Sequence, residues 1–426
     1  MGLCLGLDFG TSGVRGIVIE DDRPVGRAEA PLPPSHVVDN RVTQKPADWW
    51  DALDAVMQAL GPDLLGHVAA LSVDGTAGTL LLADESGQPL TPARMYNDSA
   101  ARDAAARIAA LAPDSPAATP TSSLARLLDL AAEMPDARHA LHQTDWILGR
   151  LSGRYGITDA HHALKLGWDP LAGTWPEWLE ALPEARPLLP EVVEPGTLLG
   201  TVGAMLAERW GLPETARVFV GTTDSTAAVI ATGAHRPGDA VTVLGSTLVM
   251  KLLSPEPLFA PELGVYSHRL GDVWLAGGAS NAGGAVLQAF FTDAEMEALT
   301  PRLHPSRGVC LDYYPLRAPG ERFPIPDPDL SPRLTPRPKD DARFFQGLLE
   351  GLARIERLGY RRLTELGAPW PKRVISLGGG ARNPAWLAIR ERILGIPVER
   401  AAHNDAAFGT ARLACRALVA LEEAAA

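Results

Sequence analysis

The sequence predicts an α/β protein made of two related domains. The chain has 426 residues, more than a single ordinary hydrophobic core supports, so two domains are expected. Apolar β-rich runs alternate with helical patterns along the chain, as is typical of α/β proteins. Two hairpin patterns of similar construction, at residues 5–20 and 240–251, lie one in each half. This repeat indicates that the two domains share a construction.

The first hairpin turn has the composition of a phosphate-binding turn. An apolar run ends at Asp8, the turn Gly10-Thr11-Ser12-Gly13 follows, and a second β-rich run returns. Such a turn presents backbone N–H groups and hydroxyls to phosphate oxygens, and a carboxylate beside it can hold Mg²⁺ through water. Asp8 is therefore the candidate magnesium ligand, and Gly10, Thr11 and Ser12 are candidate nucleotide contacts. For this motif alone a plain structural turn is the alternative, because glycine supplies the positive φ of tight turns.

The turn of the second hairpin repeats these features. Gly245, Ser246 and Thr247 stand between two β-rich runs and are further candidate nucleotide contacts. One such turn in each half predicts two domains that close on a single nucleotide.

The other elements follow from periodicity. Pro46 opens a helix with Trp49 and Leu53 among its apolar positions, in keeping with proline at a helix start. The first half continues with strands at 68–73, 80–83 and 218–220, a turn at 84–87 and Ala-rich helical structure over 99–150. The second half begins with a hinge at 235–239, followed by a strand at 273–276 and a Gly-rich loop at 277–284. An extended Pro-rich loop at 315–338 comes next and leads to a long helix. A buried strand at 374–377, a Gly turn at 378–380 and two further helices complete the chain. The predicted domains are residues 1–234 and 235–404, with the final helix, about 405–426, as a candidate for packing back on the first.

Composition restricts the function classes. Lys and Arg number 39 and Asp and Glu 51, which gives a net charge of −12 and argues against a general binder of nucleic acids or anionic membranes. We find neither a signal peptide nor an apolar stretch of membrane-spanning length, so a cytoplasmic protein is expected. Cys4, Cys310 and Cys415 are odd in number and widely spaced. No disulfide or metal-ligand spacing emerges from them, so we interpret all three as structural thiols in packed elements and expect a reducing compartment.

Four segments, together with the second hairpin, give the chain a family resemblance. They are 8–15 (Asp-Phe-Gly-Thr-Ser-Gly-Val-Arg), 221–225 (Gly-Thr-Thr-Asp-Ser), 320–324 (Gly-Glu-Arg-Phe-Pro) and 377–383 (Leu-Gly-Gly-Gly-Ala-Arg-Asn). In this order they resemble motifs of the FGGY carbohydrate kinases over nearly the whole chain. The resemblance implies an actin-like (ribonuclease H-like) fold of two domains with a cleft between them, and an enzyme that uses ATP and Mg²⁺. The chain is shorter than typical members and is most similar to compact cyanobacterial and plant kinases thought to phosphorylate D-ribulose.

By this resemblance Asp224 is the catalytic base and also contacts the acceptor sugar. A carboxylate on a loop between a strand and a helix can align the sugar hydroxyl with the γ-phosphate. An unperturbed aspartate, with a pKa of about 3.9, is a feeble base, so its value lies mostly in orientation. From the residues alone, a cap on the following helix is the stronger interpretation of Asp224.

The resemblance also implies the nucleotide loop. Gly379, Gly380 and Asn383 are candidate adenosine contacts, because glycine lets a purine lie against backbone and Asn383 offers an amide. A strand-to-helix turn with Asn383 as N-cap is the alternative. Gly278, in the second Gly-rich loop, is a further candidate nucleotide contact.

Acceptor contacts are expected in segment 72–79 (Ser-Val-Asp-Gly-Thr-Ala-Gly-Thr), from Ser72, Asp74 and Thr76, together with Asp8. Xylulose kinases carry Gly-Gln-Met-His-Gly here and glycerol kinases an Arg-Glu pair, whereas this segment is more similar to that of ribulokinases. Small and hydroxylated side chains leave room for a polyol and hydrogen-bond it, which can make specificity sharp. Asp74 pinning its own turn is the alternative.

Two further features stay open at this point. His161, His162 and Lys165 could face the cleft, although a His pair of this kind is more often structural. Arg15 could reach phosphate or point to solvent.

We therefore expect an ATP-dependent kinase of a free ketopentose, with D-ribulose as the first candidate. Its partners would be the sugar and ATP, without nucleic acid or membrane, and the enzyme would be a monomer or homodimer. D-xylulose or another polyol is the alternative acceptor. An actin-like ATPase or a sugar-binding protein without kinase activity is the alternative of another class, which the joint presence of Asp8, Thr11 and Asp224 disfavours.

Overall fold

Two units, each with its own sheet and core, make up the chain in the computed structural model, which describes residues 2–425. Unit 1 combines the residues up to Ala231 with those from Asp405 onward, and unit 2 consists of Thr232–Asn404. Both units contain strands and helices in alternation, so the predicted α/β class is confirmed.

Unit 1 holds most of the chain's elements. Its strands are β1 (Leu3–Phe9), β2 (Gly13–Glu20), β3 (Arg23–Pro31), β4 (His36–Val38), β5 (Arg41–Gln44), β6 (Val68–Gly75), β7 (Leu80–Ala83), β8 (Ala93–Arg94), β9 (His139–His142), β10 (Ile157–Asp159), β11 (Glu191–Val193), β12 (Leu198–Thr201) and β13 (Arg217–Thr223). Its helices are α1 (Pro46–Leu60), α2 (Pro62–Leu65), α3 (Arg102–Leu111), α4 (Ser123–Ala131), α5 (Gln143–Ser152), α6 (Ala160–Ala163), α7 (Ala204–Trp210), α8 (Asp224–Ala231) and, from the end of the chain, α13 (Ala406–Ala425). Short 3₁₀ turns span Leu164–Leu166, Glu177–Ala181 and Arg186–Leu188.

Unit 2 lies between α8 and α13 in the chain. Its strands are β14 (Asp239–Leu244), β15 (Leu248–Ser254), β16 (Tyr266–Leu270), β17 (Val273–Ser280), β18 (Arg373–Leu377) and β19 (Val398–Arg400). Its helices are α9 (Gly284–Gln288), α10 (Asp293–Leu299), α11 (Asp341–Glu365) and α12 (Pro384–Leu394), with 3₁₀ turns at Pro261–Leu263, Thr300–Arg302 and Gly379–Arg382.

The main sheet of unit 1 has the strand order β12-β13-β6-β1-β2-β3. Side chains alternate between the two faces of a strand, and both faces are apolar here. Leu5, Leu7 and Phe9 belong to the core that includes side chains of α1, α5 and α7, whereas Cys4 belongs to the core that includes α13. Helices therefore cover both faces of this sheet.

The final helix packs very closely on this sheet and on α8. A Cβ atom at Gly6 of β1 would stand 2.0 Å from the Ala407 carbonyl oxygen, and one at Gly409 would stand 1.8 Å from the Ala227 carbonyl oxygen. No other residue fits at these two positions without moving the helix. The final helix thus belongs to unit 1, although the roughly 170 residues of unit 2 separate it from the rest of unit 1 in the sequence.

A second sheet in unit 1, of order β4-β5-β8-β7-β9, supports α3 and α4. Leu80 and Leu82 of β7, Ile108 of α3, and Leu124 and Leu128 of α4 share one buried cluster. This packing fixes the segments on either side of β7.

The sheet of unit 2 has the order β16-β17-β15-β14-β18-β19. β14 pairs antiparallel with β15 and parallel with β18. The 25-residue α11 buries one face because apolar residues, such as Leu348, Leu352 and Ile355, recur at helical spacing.

Most predicted elements are confirmed. Both hairpins form, α1 begins at Pro46 and β7 spans Leu80–Ala83. The Pro-rich residues 315–338 form no named helix or strand. Residues 99–150 are only partly helical, because β9 separates α4 from α5.

The interpretation of the cysteines is wrong. Cys4 at the start of β1 and Cys415 in α13 form a disulfide with a Cα–Cα separation of 5.7 Å. Cys310 is a free thiol, but it is exposed and not packed. The two bonded residues are 411 positions apart, so their proximity comes from the docking of α13 and could not be read from spacing. Within the described chain, we find no helix with the length and apolarity needed to cross a membrane.

Candidate active site

Three aspartates lie at one edge of the main sheet of unit 1. β1, β6 and β13 are parallel neighbours, so their carboxyl ends meet at the same edge. Asp8 is opposite Asp74 in the β1–β6 register, and Thr222 is opposite Asp74 in the β13–β6 register. Asp224 follows directly at the start of α8. The topology therefore brings the predicted base, the predicted magnesium ligand and one predicted acceptor residue together.

Asp224 has the environment of a proton acceptor. The side chain is half-buried, and Oδ1 accepts a hydrogen bond from the Ser225 backbone N–H at 2.6 Å. Among residues 2–425, no group donates a hydrogen bond to its Oδ2. Burial raises the pKa of Asp224 to about 6, with the charge of Asp8 adding to the rise and those of His162 and Lys165 opposing it. A carboxylate with this pKa is a better base than an ordinary aspartate and is still ionised at neutral pH.

Asp8 and Asp74 form a coupled pair in which one proton is favoured on Asp74. Asp8 is 5% exposed and accepts a hydrogen bond from Arg15 Nη1 at 2.9 Å. Burial raises the pKa of Asp8, and the Arg15 hydrogen bond opposes the rise. Asp74 is fully buried against Thr410 of α13, and burial followed by the charge of Asp8 raises its pKa well above the ordinary value. Asp8 is thus the member that carries the negative charge.

The donor set at this edge fits a hydrated magnesium ion. No group of three or more His, Cys, Asp and Glu side chains that could hold a metal ion occurs in the described part of the chain. Mg²⁺ keeps several of its waters and commonly takes only one or two carboxylates plus substrate phosphates. A single charged carboxylate, Asp8, beside the turn of residues 10–13 agrees with that preference.

Three hydrogen bonds hold the turn of the first hairpin. Gln44 Nε2 donates to the Thr11 carbonyl at 2.9 Å, and the Leu32 N–H donates to the Ser12 carbonyl at 2.9 Å. Gly10 N–H donates to the Gly13 carbonyl at 3.1 Å. Thr11 is half-buried and Ser12 is exposed. The turn is therefore held in one conformation with its tip accessible.

The predicted acceptor residues are more deeply buried than their role required. Ser72 is fully buried and its hydroxyl has no hydrogen-bond partner among the described residues. Thr76 Oγ1 lies 2.6 Å from Thr79 Oγ1 and 3.2 Å from Gln143 Oε1. These hydroxyls are engaged in holding the loop that follows β6, and sugar contact by Ser72, Asp74 or Thr76 stays a prediction.

Lys165 lies against the loop that follows β6. Its Nζ donates to the Ala77 carbonyl at 3.0 Å, and its stem lies 3.4 Å from the Cβ position of Gly78. Burial and the charge of Arg126 lower the pKa of Lys165 to about 8, while Asp224 opposes this shift. The ammonium group therefore lies between the predicted acceptor loop and the charge of the predicted base, with N–H groups left for a ligand.

The two histidines before Lys165 are buried, and the Nδ1 atom of each contacts a buried oxygen. His161 Nδ1 lies 2.7 Å from Thr222 Oγ1, and His162 Nδ1 lies 2.6 Å from Asp159 Oδ2. Burial alone would raise the pKa of Asp159, yet the charge and hydrogen bond of His162 lower it to about 2. This pair fixes α6, and with it the position of Lys165.

Tyr96 is joined through its backbone to the loop that follows β6, which the sequence did not suggest. Its side chain is 40% exposed, and its backbone N–H donates to Thr79 Oγ1 at 3.1 Å. Arg15 is likewise placed by the structure, since it pairs with Asp8 across the first hairpin. No sequence spacing pointed to Tyr96, because its neighbourhood comes from the pairing of β7 with β8.

In unit 2, the second hairpin turn packs against the Gly-rich loop. The Gly284 N–H donates to the Gly245 carbonyl at 2.8 Å, and the Ala285 N–H donates to the Ser246 carbonyl at 3.1 Å. Ser246 is exposed, and Gly245 and Thr247 are half-buried. The turn therefore has an accessible tip like that of the first hairpin.

The predicted adenosine loop lines a pocket within unit 2. The pocket has a volume of about 150 Å³ and is lined by Ser376, Leu377, Gly378, Gly379, Ala381, Arg382, Arg400, Ala401 and Asn404. A Cβ atom at Gly379 would meet nothing within 4 Å, so a ligand can approach its backbone.

Three other predicted nucleotide residues have structural explanations in unit 2. A Cβ at Gly380 would stand 2.3 Å from the Trp386 ring, and one at Gly278 would stand 2.7 Å from the Phe323 ring. Asn383 Oδ1 accepts from the Trp386 N–H and caps α12, while its Nδ2 donates to Thr300 Oγ1. The alternative of Asn383 as an N-cap is therefore present, and nucleotide contact by these residues stays a prediction.

Two family models match the chain. The model for the N-terminal domain of the FGGY family of carbohydrate kinases matches residues 3–231, and the model for the C-terminal domain matches residues 240–418. The chain belongs to the FGGY family of carbohydrate kinases. This FGGY kinase is therefore a phosphotransferase that acts on a sugar, and the predicted resemblance and enzyme class are confirmed.

The relatives carry several substrate names. This FGGY kinase is 26% identical over 436 residues to a xylulose kinase of Escherichia coli (strain K12), covering 96% of this chain and 89% of the relative. It is 28% identical over 426 residues to a xylulose kinase of Streptomyces coelicolor, covering 93% and 84%. It is 24% identical over 436 residues to an autoinducer-2 kinase of Yersinia enterocolitica, covering 92% and 82%.

Solved structures confirm the two-domain fold. A xyloylose kinase from Brucella ovis superposes with a TM-score of 0.87 at 26% identity, covering 98% of this chain and 91% of that one. A xylulose kinase from Lactobacillus acidophilus superposes with a TM-score of 0.85 at 17% identity, covering 99% and 90%, and shows the fold alone.

Proposed function

We propose that this FGGY kinase transfers the γ-phosphate of ATP to a hydroxyl of a free ketopentose, with D-ribulose as the first candidate acceptor. One observation carries the proposal. Asp224 has a free carboxylate oxygen and a pKa of about 6, and it stands at the same sheet edge as Asp8 and within reach of the charge of Lys165. This set can hold a neutral hydroxyl, its proton and a magnesium-bound phosphate.

In the proposed reaction, Asp224 accepts the proton of the acceptor hydroxyl. The hydroxyl oxygen forms a bond to the γ-phosphorus while the bond between that phosphorus and ADP breaks. Because the transition state is loose, the main contribution of Asp224 is to align the hydroxyl, with proton uptake following as the new bond forms. Asp8 would hold Mg²⁺ through water, and the ion would neutralise charge on the transferred phosphate.

Lys165 and Tyr96 are the proposed acceptor contacts in addition to Asp224. The Lys165 ammonium uses one N–H for the Ala77 carbonyl and has others for sugar oxygens. Tyr96, whose side chain is 40% exposed, is proposed as an apolar contact because its backbone is bonded to Thr79 of the loop that follows β6. A ketopentose presents both hydroxyls and C–H faces, so the two contacts suit it.

D-xylulose is the second candidate acceptor, because several relatives that align over most of this chain are xylulose kinases. D-ribulose is favoured by the segment Ser72–Thr79, which lacks the Gly-Gln-Met-His-Gly of xylulose kinases. The remaining expectations, a cytoplasmic monomer or homodimer without nucleic-acid or membrane partners, accompany the proposal.

The test is ADP release by the purified chain with ATP, Mg²⁺ and a panel of free sugars. We expect kcat/KM for D-ribulose to exceed that for D-xylulose by roughly 10-fold or more, since a misplaced hydroxyl leaves polar groups unpaired. The opposite ratio would make D-xylulose the acceptor. Absence of stimulation by any ketopentose would remove the proposal.

The same assay tests Asp224. We expect Asp224→Ala to fold and bind ATP normally, and to lower kcat by roughly 10²–10⁴-fold. Asp51→Ala, an exposed carboxylate on α1, is the matched control and should retain activity. Near-normal turnover by Asp224→Ala would mean that another group is the base.

A further inference from the structure

A fully buried arginine is hydrogen-bonded to the backbone before β7 and after β8. Arg126 of α4 is 0% exposed and its guanidinium donates to three backbone carbonyls of unit 1. Nη1 donates to Gly78, and Nη2 donates to Tyr96 at 2.7 Å and to Asp98 at 2.9 Å. One side chain thus ties the loop after β6 to the segment after β8.

Arg126 has no carboxylate in ion-pair distance within residues 2–425. The nearby acids are taken by Arg94, whose Nη2 lies 2.7 Å from Asp98 Oδ1 and whose Nη1 lies 2.6 Å from Asp129 Oδ2. Burial lowers the pKa of Arg126 to about 10, so it remains charged at neutral pH. Its charge is met by backbone carbonyls and not by a carboxylate, so removing Arg126 would release the backbone segments that it joins.

The tied segments are those that carry the proposed acceptor contacts. Gly78 follows Ala77, the residue whose carbonyl binds Lys165. A Cβ at Gly78 would stand 3.2 Å from Arg126 Nη1 and 3.4 Å from Lys165 Cδ, so both cationic side chains lie against this one residue. Gly78 also has a φ of +104°, which favours glycine. The loop conformation and the two side chains therefore depend on one another.

We propose that Arg126 is a positioning residue for the acceptor sugar. By bonding the backbone of Gly78 and of Tyr96, it sets the spacing between the loop that the Lys165 ammonium contacts and the segment that carries Tyr96. The inference rests on the proposed function, since it gives that site's acceptor selectivity a structural origin. Arg126 itself contacts neither sugar nor nucleotide in this account.

The charges around Lys165 give the proposal a second readout. Arg126 of α4 and Asp224 of α8 act on Lys165 with opposite sign, and Asp98 and Arg94 act on Arg126. Removal of the Arg126 charge therefore raises the pKa of Lys165. This shift reports that the two charges are close in solution, and KM for the sugar decides whether Arg126 positions the sugar contacts.

The experiment compares Arg126→Lys and Arg126→Met with the wild type in steady-state kinetics. We expect Arg126→Met to raise KM for the sugar, or lower kcat/KM for it, on the order of 10- to 100-fold, because small misplacements of contacts are costly. KM for ATP should stay within about 2-fold, since the nucleotide contacts proposed above are elsewhere. Arg126→Lys should recover part of the loss, and the basic limb of the pH profile should move upward only in Arg126→Met.

Two controls separate positioning from stability. Val56→Ala removes buried volume from the core of unit 1 and should lower the melting temperature without changing KM for the sugar. Arg107→Met removes an exposed arginine that pairs with Glu184 and should change neither property. If Arg126→Met does not fold, Arg126→Lys carries the test.

Unchanged KM and kcat/KM for the sugar in the Arg126 variants would overturn the inference, while wild-type turnover leaves the proposed function intact. If the wild type transfers no phosphate to any sugar, the proposed function fails, and Arg126 is then tested by calorimetric binding of D-ribulose and D-xylulose. Equal affinity of wild type and Arg126→Met in that measurement, or no binding by either, would overturn the inference.

Discussion

The charged form of Asp224 lowers the stability of the folded protein, and the proposed role of Asp224 as a base explains why this cost is accepted. Burial at the head of α8 raises its pKa to about 6, so the folded protein holds the Asp224 proton more tightly than the unfolded chain. The stability that comes with the bound proton is fully present below the unfolded pKa of about 3.9 and is lost as pH rises through about 6. Above that pH the folded state carries a poorly solvated charge.

Asp224→Asn should therefore stabilise the protein at neutral and alkaline pH while it abolishes most of the activity. We expect the free energy of unfolding at pH 7.5 to rise by on the order of 1–3 kcal/mol, because the neutral amide avoids the cost of burying the charge. The gain should shrink as pH falls from about 6 toward 4, where Asp224 is protonated. Thermal unfolding across pH 4–8 measures it.

The kinetic counterpart concerns the same carboxylate. With Asp224 as base, kcat/KM for the sugar should fall as pH decreases through about 6. Asp51→Asn, on the exposed face of α1, is the control for both measurements and should show neither effect. An Asp224→Asn variant that is less stable at pH 7.5 would contradict the assignment of a poorly solvated charge to Asp224.

At the scale of elements, the sequence predicted those whose burial shows as a pattern. β6 begins with a mostly apolar run and β7 is apolar throughout, so both were predicted close to their observed bounds, and the helical stripe of α11 predicted a long helix. β9 was missed because its four residues lie in an Ala-rich region without alternation. The aspartates were found because they end strands, whereas Tyr96 depends on strand pairing that no local pattern shows.

The strands of unit 2 that carry the predicted nucleotide contacts are joined to α11 and α12 by a buried polar network. Arg390 donates to both oxygens of Glu356, at 2.7 and 2.6 Å, and to Ser376 Oγ of β18 at 2.6 Å. Thr242 of β14 donates to the same carboxylate, and Tyr360 lies 2.6 Å from Thr242. Every member is 0–1% exposed. The network fixes β14 and β18, whose carboxyl ends lead to Gly245 and Gly378.

Glu356→Gln should destabilise the protein severely. The change leaves the buried Arg390 without its counter-ion, and such losses cost about 3–5 kcal/mol. Glu365→Gln, on the same helix, is the matched control and should have little effect, because its ion pair with Arg361 is exposed to solvent. Chemical denaturation gives both values. Equal effects of the two variants would show that the buried network adds no more than a surface pair.

At the scale of the whole molecule, the chain returns to its first unit to complete the site. α13 covers β1, β6 and β13, and its Thr410 donates to Asp74. Arg412 of the same helix binds Asp22, in the turn after β2, at 2.7 and 2.9 Å. The last helix therefore helps to hold the sheet edge at which Asp8, Asp74 and Asp224 lie. The sequence analysis named this helix only as a candidate for packing on the first domain, and residue patterns did not show which strands it covers, because those contacts join opposite ends of the chain.

The Cys4–Cys415 disulfide should make this docking sensitive to reductant. The bond joins residues 411 positions apart, so it restricts the unfolded chain over nearly its full length. Loss of a native disulfide typically costs roughly 2–5 kcal/mol. We expect the melting temperature to fall by several degrees on treatment with a dithiol, and Cys415→Ser and Cys4→Ser to produce the same fall without reductant.

The exposed thiol of Cys310 provides the control for this prediction. Cys310→Ser should leave the melting temperature unchanged and should retain the response to dithiol, because it takes no part in the bond. Each single variant, Cys4→Ser or Cys415→Ser, already removes the cross-link. The double variant should therefore lose further stability only through the packing of the second side chain that it replaces. The melting temperature could instead be unchanged by the dithiol, with Cys415→Ser as stable as the wild type. That result would show that the close packing of α13 at Gly6 and Gly409 holds the two ends of the chain together without the disulfide.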